Sequence, residues 1–105
     1  MNTKEVINIL EANKAEEIQI FTCKGYICEN VVVATTLNGV HSSALSGRIL
    51  NYVKEYNESC IIDGDSKDGW VVVEIPALNA IVHLMIKEKR DYYDLEEILA
   101  KNLKK

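Results

Sequence analysis

Long apolar runs, linker sequences and targeting signals are the features that this chain lacks. No apolar run approaches the roughly 20 residues that cross a bilayer, so we expect no membrane-spanning helix and no membrane partner. No linker, repeat or low-complexity segment interrupts the 105 residues, which predicts a single domain over 1–105. The segment Met1–Glu5 resembles neither a signal peptide nor a transit peptide, so a cytoplasmic protein is expected.

Cysteine is scarce, and its pattern predicts no disulfide framework and no metal centre. The chain has three cysteines, an odd number typical of reduced thiols. Cys23 and Cys28 are separated by four residues, but no second pair completes the two knuckles of a structural zinc site. A nucleophilic pair of a cysteine such as Cys60 with a histidine such as His41 is no better supported, since nothing in the sequence marks either residue as activated. Buried, reduced cysteines are therefore favoured, and no cofactor is predicted.

Basic residues are too few for a protein that mainly grips phosphates. Twelve Lys and Arg face sixteen Asp and Glu, a formal net charge of −4. Affinity for nucleic acid rests on Lys and Arg that neutralise backbone phosphates. We therefore expect no sequence-specific nucleic-acid binding, and a basic protein as the partner.

Two β-branched apolar runs, Asp68–Ile75 and Ala80–Ile86, dominate what is present. The short, Pro-containing connection between them predicts a β-hairpin. Alternation places Trp70, Val72 and Glu74 on one face of the first run. In the second run it places Ile81, His83 and Met85 on one face. An apolar face with a few polar groups is either a core with satisfied exceptions or a docking surface.

The remaining periodicities predict three helices and three further strands around this hairpin. Their order, α-β-β-α-β-β-β-α, predicts an α/β (α+β) fold with one mixed five-stranded sheet and helices packed on one face. Gly47, inside the second helix, suggests close packing there. The predicted helices span about 4–14, 40–56 and 87 or 91 to 103, and the further strands about 17–24, 30–36 and 58–62, with a turn at Gly25 and Tyr26.

Three side-chain groups could carry chemistry, and each also has a structural interpretation. The triplet Asp63–Asp65 could hold Mg²⁺, but a triphosphate also needs a basic cradle, and Asn38–Gly39 supplies no cation. A polar turn over 63–69 is therefore favoured. His83 is most often a core or interface histidine. Trp70 is equally typical of a half-buried core position and of a binding hot spot.

The hairpin and its flanks resemble the ribosomal silencing factor (Iojap) family. The resemblance covers roughly residues 3 to 100, and its specific part runs from Trp70 to Glu96. One departure is the connection Pro76–Asn79, which is two residues longer than the family's Gly-Asp and lacks the acid. The matching residues are Gly64, Trp70–Glu74, Ile81–Met85, Arg90, Tyr93, Leu95 and Glu96, with Ile18–Ile20, Asn30–Thr35 and His41 in the first half.

This resemblance implies a nucleotidyltransferase-like topology without a catalytic site, and a factor that is not an enzyme. It further implies binding to the large ribosomal subunit, through the large-subunit ribosomal protein numbered fourteen, which blocks joining of the small subunit and represses translation when nutrients are scarce. In the mechanism that the resemblance implies, these six side chains of the two strands form one docking face, with Trp70 and Met85 as apolar anchors. Glu74 would meet a Lys or Arg of the partner, and Arg90 and Tyr93 would lie at the edge of the face. His83 is either a contact or a strut. A large-subunit assembly factor, a nucleotidyltransferase-like enzyme and a homodimer through the same face are the alternatives.

Overall fold

The computed structural model describes residues 1–22 and 30–93 and has the predicted order of helices and strands. Predictions for Cys23, Lys24, the turn at Gly25 and Tyr26, Cys28 and the last helix beyond residue 93 lie outside these residues. No described helix is long and apolar enough to span a membrane. The helices are α1 (Thr3–Ala12), α2 (Gly39–Glu55) and α3 (Lys87–Tyr93), and the strands are β1 (Glu16–Thr22), β2 (Asn30–Thr36), β3 (Ile61–Asp65), β4 (Trp70–Ile75) and β5 (Ala80–Ile86).

The five strands form one mixed sheet in the order β1-β2-β5-β4-β3. β2 runs parallel to β5, and the other neighbours are antiparallel. β2 is flanked on both sides and all of it after Asn30 is buried, as its apolar composition predicts. β4 and β5 form the predicted hairpin through a short 3₁₀ turn, Pro76–Leu78, and Asn79 in the left-handed conformation. The mixed α+β architecture is thus confirmed.

Helices α1 and α2 cover one face of the sheet with the main core. Asn2 and Asn38 begin the two helices by accepting hydrogen bonds from the backbone N–H groups of Glu5 and His41. Burying an aliphatic side chain contributes about 1.5–3 kcal/mol to the free energy of unfolding. This core therefore carries much of the stability of the fold. The core residues are Val6 and Leu10 of α1, Leu45, Ile49 and Val53 of α2, and Val32, Ala34, Val71, Val73, Ile75, Val82 and Leu84 of the sheet.

The opposite face holds a smaller apolar cluster and a buried guanidinium. Val31, Val33 and Met85 are buried there, and Phe21 and Trp70 pack against them. Helix α3 starts directly after β5 and brings Arg90 to this side. The Arg90 Nη1 donates a hydrogen bond of 2.7 Å to Thr35 Oγ1, and both residues are buried. This second face is therefore partly organised by its own packing.

Two local expectations are wrong. The fifth segment is strand from Ile61 to Asp65, not 58–62, because Asp63, Gly64 and Asp65 pair with β4 although Asp and Gly disfavour strands. The turn is thereby reduced to Ser66–Gly69. Gly47 does not mark close packing, since a Cβ placed there would meet nothing within 4 Å.

Candidate protein-binding face

The structure brings the six predicted side chains of β4 and β5 onto one face, on the side of the sheet away from α1 and α2. We call these six the hairpin face: Trp70, Val72, Glu74, Ile81, His83 and Met85. Trp70 lies opposite Met85, Val72 opposite His83, and Glu74 opposite Ile81 in the strand register. Five of the six are half-buried, and among these Trp70, Val72 and Ile81 keep part of their apolar surface exposed.

Met85 departs from its predicted role. Its side chain is fully buried, with Val31 and Val33, beneath a surface to which Trp70 contributes. It therefore supports Trp70 from below as the buried member of the hairpin face and has no exposed surface for a partner to contact. Alternation along β5 gives the face on which Met85 lies but not whether neighbouring strands cover it.

Arg90 is also placed differently from its prediction at the edge of the face. Only 4% of Arg90 is exposed, and its guanidinium bonds to Thr35. A buried charge needs hydrogen-bonding partners, so Arg90 fastens α3 to β2 rather than offering its charge to a ligand. Tyr93 is the last described residue of α3, and its role at the edge of the face stays a prediction.

A hydrogen bond joins the two aromatic rings of the hairpin face. The Trp70 Nε1–H donates to His83 Nδ1 over 3.1 Å. Their ring centroids lie 5.9 Å apart, with the ring planes tilted by 50°. Burial lowers the pKa of His83 from 6.5 to about 4. At neutral pH the imidazole is therefore uncharged, with its proton on Nε2 and Nδ1 free to accept the indole hydrogen.

The lowered pKa of His83 predicts that acid destabilises the fold. The folded pKa, about 4, lies below the value of 6.5 in an unfolded chain, so the unfolded state binds the extra proton first. The contribution is complete above pH 6.5 and is lost as pH falls towards 4, a change of up to about 3 kcal/mol. Urea unfolding at pH 7, 5.5 and 4.5 measures how the free energy of unfolding changes with pH. His83→Leu should flatten this part of the profile, and an equal slope in both proteins would contradict the assignment.

A cleft of about 350 Å³ opens beside Trp70, where β3 and β4 meet the first residues of α3. Asp63 Oδ1 accepts the N–H of Gly64 over 2.7 Å, and Asp65 Oδ1 accepts the N–H of Lys67 over 2.8 Å. These carboxylates therefore help shape their own backbone, in keeping with the structural interpretation. No metal-binding group of three or more His, Cys, Asp or Glu occurs within 1–22 and 30–93. The cleft is lined by Asp63, Gly64, Asp65, Asp68, Trp70, Val72 and Lys89.

The acidic rim of the face was not identified from the sequence. Asp63 and Asp65 lie opposite Val72 and Trp70 in the register of β3 with β4, so all four point to the same side. Ile61 adds an exposed apolar side chain opposite Glu74. The signal that could have revealed the rim is the period-two spacing of 61, 63 and 65, which the turn propensity of Asp and Gly obscured.

His41 has a structural role, and Cys60 packs against the main core. His41 Nδ1 accepts the N–H of Leu37 over 2.9 Å, and its Nε2 lies 2.7 Å from the carbonyl oxygen of Asn13. It thus ties the start of α2 to the end of α1. Burial raises the pKa of the Cys60 thiol, which opposes formation of a nucleophilic thiolate.

Comparison with known proteins identifies one family. Residues 2–104 match the family described as RsfS, ribosomal silencing factor during starvation. A Haemophilus influenzae protein named ribosomal silencing factor RsfS is 26% identical over 98 residues, which cover 90% of this chain and 94% of that protein.

Solved structures share the fold. A protein from Chromobacterium violaceum superposes with a TM-score of 0.82 at 27% identity, over 93% of this chain and 82% of that one. A protein from Bacillus halodurans gives a TM-score of 0.77 at 20% identity, over 90% of each chain. The second likeness concerns the fold alone.

Proposed function

Because the chain belongs to the family of ribosomal silencing factors that act during starvation, we propose that it silences ribosomes by occupying the large subunit and sterically preventing the small subunit from joining. The family is one of regulatory factors and not of enzymes. In this proposal the chain acts as a single domain in the cytoplasm, makes or breaks no covalent bond, and needs no cofactor. Translation falls because the covered subunit does not enter a joined ribosome.

The proposed contact on the large subunit is the ribosomal protein numbered fourteen, as the family resemblance implies. The observation that carries this part is the hairpin face, where the half-buried indole of Trp70 lies two residues from Val72 on the same face and packs against the apolar cluster that holds Met85. A large, partly exposed aromatic side chain that packs on apolar neighbours is the usual composition of a binding hot spot. The hairpin holds this side chain on rigid backbone, so docking would require little rearrangement.

Charge favours a basic partner on the same side. Glu74 is half-buried within the face, and Asp63 and Asp65 are exposed along its β3 edge. Complementary charge at such a rim raises the association rate and fixes orientation more than it raises affinity. The face thus combines an apolar centre with an acidic margin, and that composition suits a basic ribosomal protein.

Reversing the charge at Glu74 tests this arrangement. Glu74→Lys should slow association with isolated ribosomal protein fourteen about tenfold at low salt, with a smaller effect at high salt because screening weakens the attraction. Stopped-flow or biosensor kinetics measure the rate. Glu11→Lys makes the same charge change on exposed α1, behind the sheet, and is the matched control. Equal slowing by both variants would indicate that only net charge matters and that the hairpin face is not the contact.

Self-association bears on the same surface. A homodimer formed through the hairpin face would cover Trp70 and compete with the ribosome. Sedimentation of the protein alone, and of its mixture with large subunits, distinguishes a dimer formed through the hairpin face from one formed through another surface. A dimer that dissociates when subunits are added supports one shared surface, whereas a dimer that binds intact places self-association elsewhere.

A further inference from the structure

We propose that His83 is a positioning residue, whose Nδ1 holds the Trp70 indole in one orientation on the hairpin face before a partner arrives. This inference rests on the proposed function, since it assigns Trp70 to the contact. It goes beyond that function by giving His83 a defined task, in which it acts through Trp70 and not by touching the partner.

Strand register makes the contact between the two rings specific. Trp70 lies opposite Met85, and His83 lies two residues before Met85 on the same strand. The rings are therefore diagonal neighbours on one face, a spacing that long aromatic side chains can bridge. The hydrogen bond of 3.1 Å fixes the polar edge of the indole, while packing against the cluster with Met85 supports its apolar surface.

Two restraints of different kind hold a side chain better than either alone. An indole has two side-chain torsions, and packing alone tolerates rotation about them when the ring is half exposed. A directional hydrogen bond removes that freedom because it weakens steeply when its angle is lost. A preordered anchor pays less conformational entropy on binding, so the bond should raise affinity without contacting the partner.

The bond needs a neutral imidazole, and the surroundings supply one. Burial lowers the pKa of His83 to about 4, so the ring is uncharged throughout the neutral range. Val33 of β2 and Val72 of β4 lie beside it in the register and bring no charge. Among the described residues, the ionisable groups that face this pair or line the adjoining cleft are Glu74, Asp63, Asp65, Asp68, Lys89 and Arg90.

The hydrogen bond itself can be tested directly in solution. Trp70 is the chain's one tryptophan, so it gives a single indole N–H signal. In the ¹⁵N-labelled protein at pH 7 we expect a nitrogen–nitrogen coupling across the bond from Trp70 Nε1 to His83 Nδ1, and the His83 tautomer protonated on Nε2. Absence of the coupling together with a proton on Nδ1 would overturn the proposal, whatever the binding data show.

Two substitutions separate positioning from contact. His83→Leu removes the acceptor, whereas His83→Asn retains an oxygen near the place of Nδ1. With large ribosomal subunits as the probe, we expect His83→Leu to weaken binding up to about tenfold, the worth of one hydrogen bond, and His83→Asn to restore most of it. Relaxation of the indole ¹⁵N should show a more mobile Trp70 in His83→Leu and an ordered one in His83→Asn.

The outcomes distinguish this proposal from the one on which it rests. Unchanged binding by a folded His83→Leu variant would overturn positioning and leave Trp70 as an anchor. Equal loss in both variants with an ordered indole would make His83 a direct contact, which also overturns positioning. If Trp70→Ala binds like the unaltered protein, the docking face itself is wrong, even where the hydrogen bond is confirmed.

Discussion

Trp70→Ala is expected to weaken binding to large ribosomal subunits about a hundredfold while the protein stays folded. Central aromatic anchors of interfaces commonly cost 2–4 kcal/mol when truncated, which corresponds to roughly 30- to 1,000-fold in affinity. Trp70 is half-buried at the end of a small cluster, separate from the main core that holds α1 and α2 to the sheet. Its removal therefore takes away the proposed anchor without opening the main core. Co-sedimentation across a range of protein concentrations gives the affinity.

Tyr56→Ala is the matched control for this variant. Tyr56 ends α2 on the other side of the sheet and is 45% exposed, so its loss removes an aromatic of similar size from a surface outside the hairpin face. Its binding should be unchanged. Unfolding of Trp70→Ala, seen by circular dichroism, would make Trp70 a core residue, and undiminished binding by a folded Trp70→Ala would place the contact elsewhere.

Gly64→Ala is expected to destabilise the fold by about 2–4 kcal/mol, the scale of a strained backbone combined with a steric clash. Gly64 has a φ of +93°, a conformation that an alanine adopts only with strain. A Cβ there would lie 2.5 Å from the carbonyl oxygen of Trp70. The obstacle is backbone, so β3 would have to move away from β4. Because the displaced carbonyl belongs to Trp70, binding should weaken as well.

Gly47→Ala is the same chemical change, but it is expected to stabilise the fold instead of destabilising it. Gly47 lies inside α2, and its Cβ would enter open space. Alanine should therefore stabilise the helix by about 0.5–1 kcal/mol. Urea titrations of both variants measure the two free energies of unfolding. A Gly64→Ala protein as stable as the unaltered chain would show that β3 and β4 are not packed as closely as described.

The hairpin was predictable because several local signals agree. Trp70–Ile75 and Ala80–Ile86 are rich in β-branched residues, have the length of ordinary strands and are separated by a proline-containing connection. The prediction misplaced the bounds of β3, because the local turn propensity of its residues disagrees with their pairing to β4. Asp63 and Gly64 favour a turn locally, and only the hydrogen bonds to β4, which join residues distant in sequence, make them strand.

The sequence predicted which side chains of the candidate site share a face of each strand, but not how deeply each one is buried. Period-two alternation placed His83 and Met85 on one side, yet their exposure depends on what packs over them. Met85 is covered, and Arg90 turns inward to Thr35, because tertiary contacts between separate elements decide both positions. The bond between Trp70 and His83 joins side chains thirteen residues apart. It follows from the strand register, which the sequence pattern did not specify.

Joining of purified ribosomal subunits tests the central claim most directly. Large and small subunits are mixed with increasing amounts of this protein, and the joined fraction is followed on a sucrose gradient. We expect that fraction to fall as the protein saturates the large subunit, and Trp70→Ala at the same concentrations to leave it unchanged. Undiminished joining at saturating protein would contradict silencing by steric occupation of the large subunit.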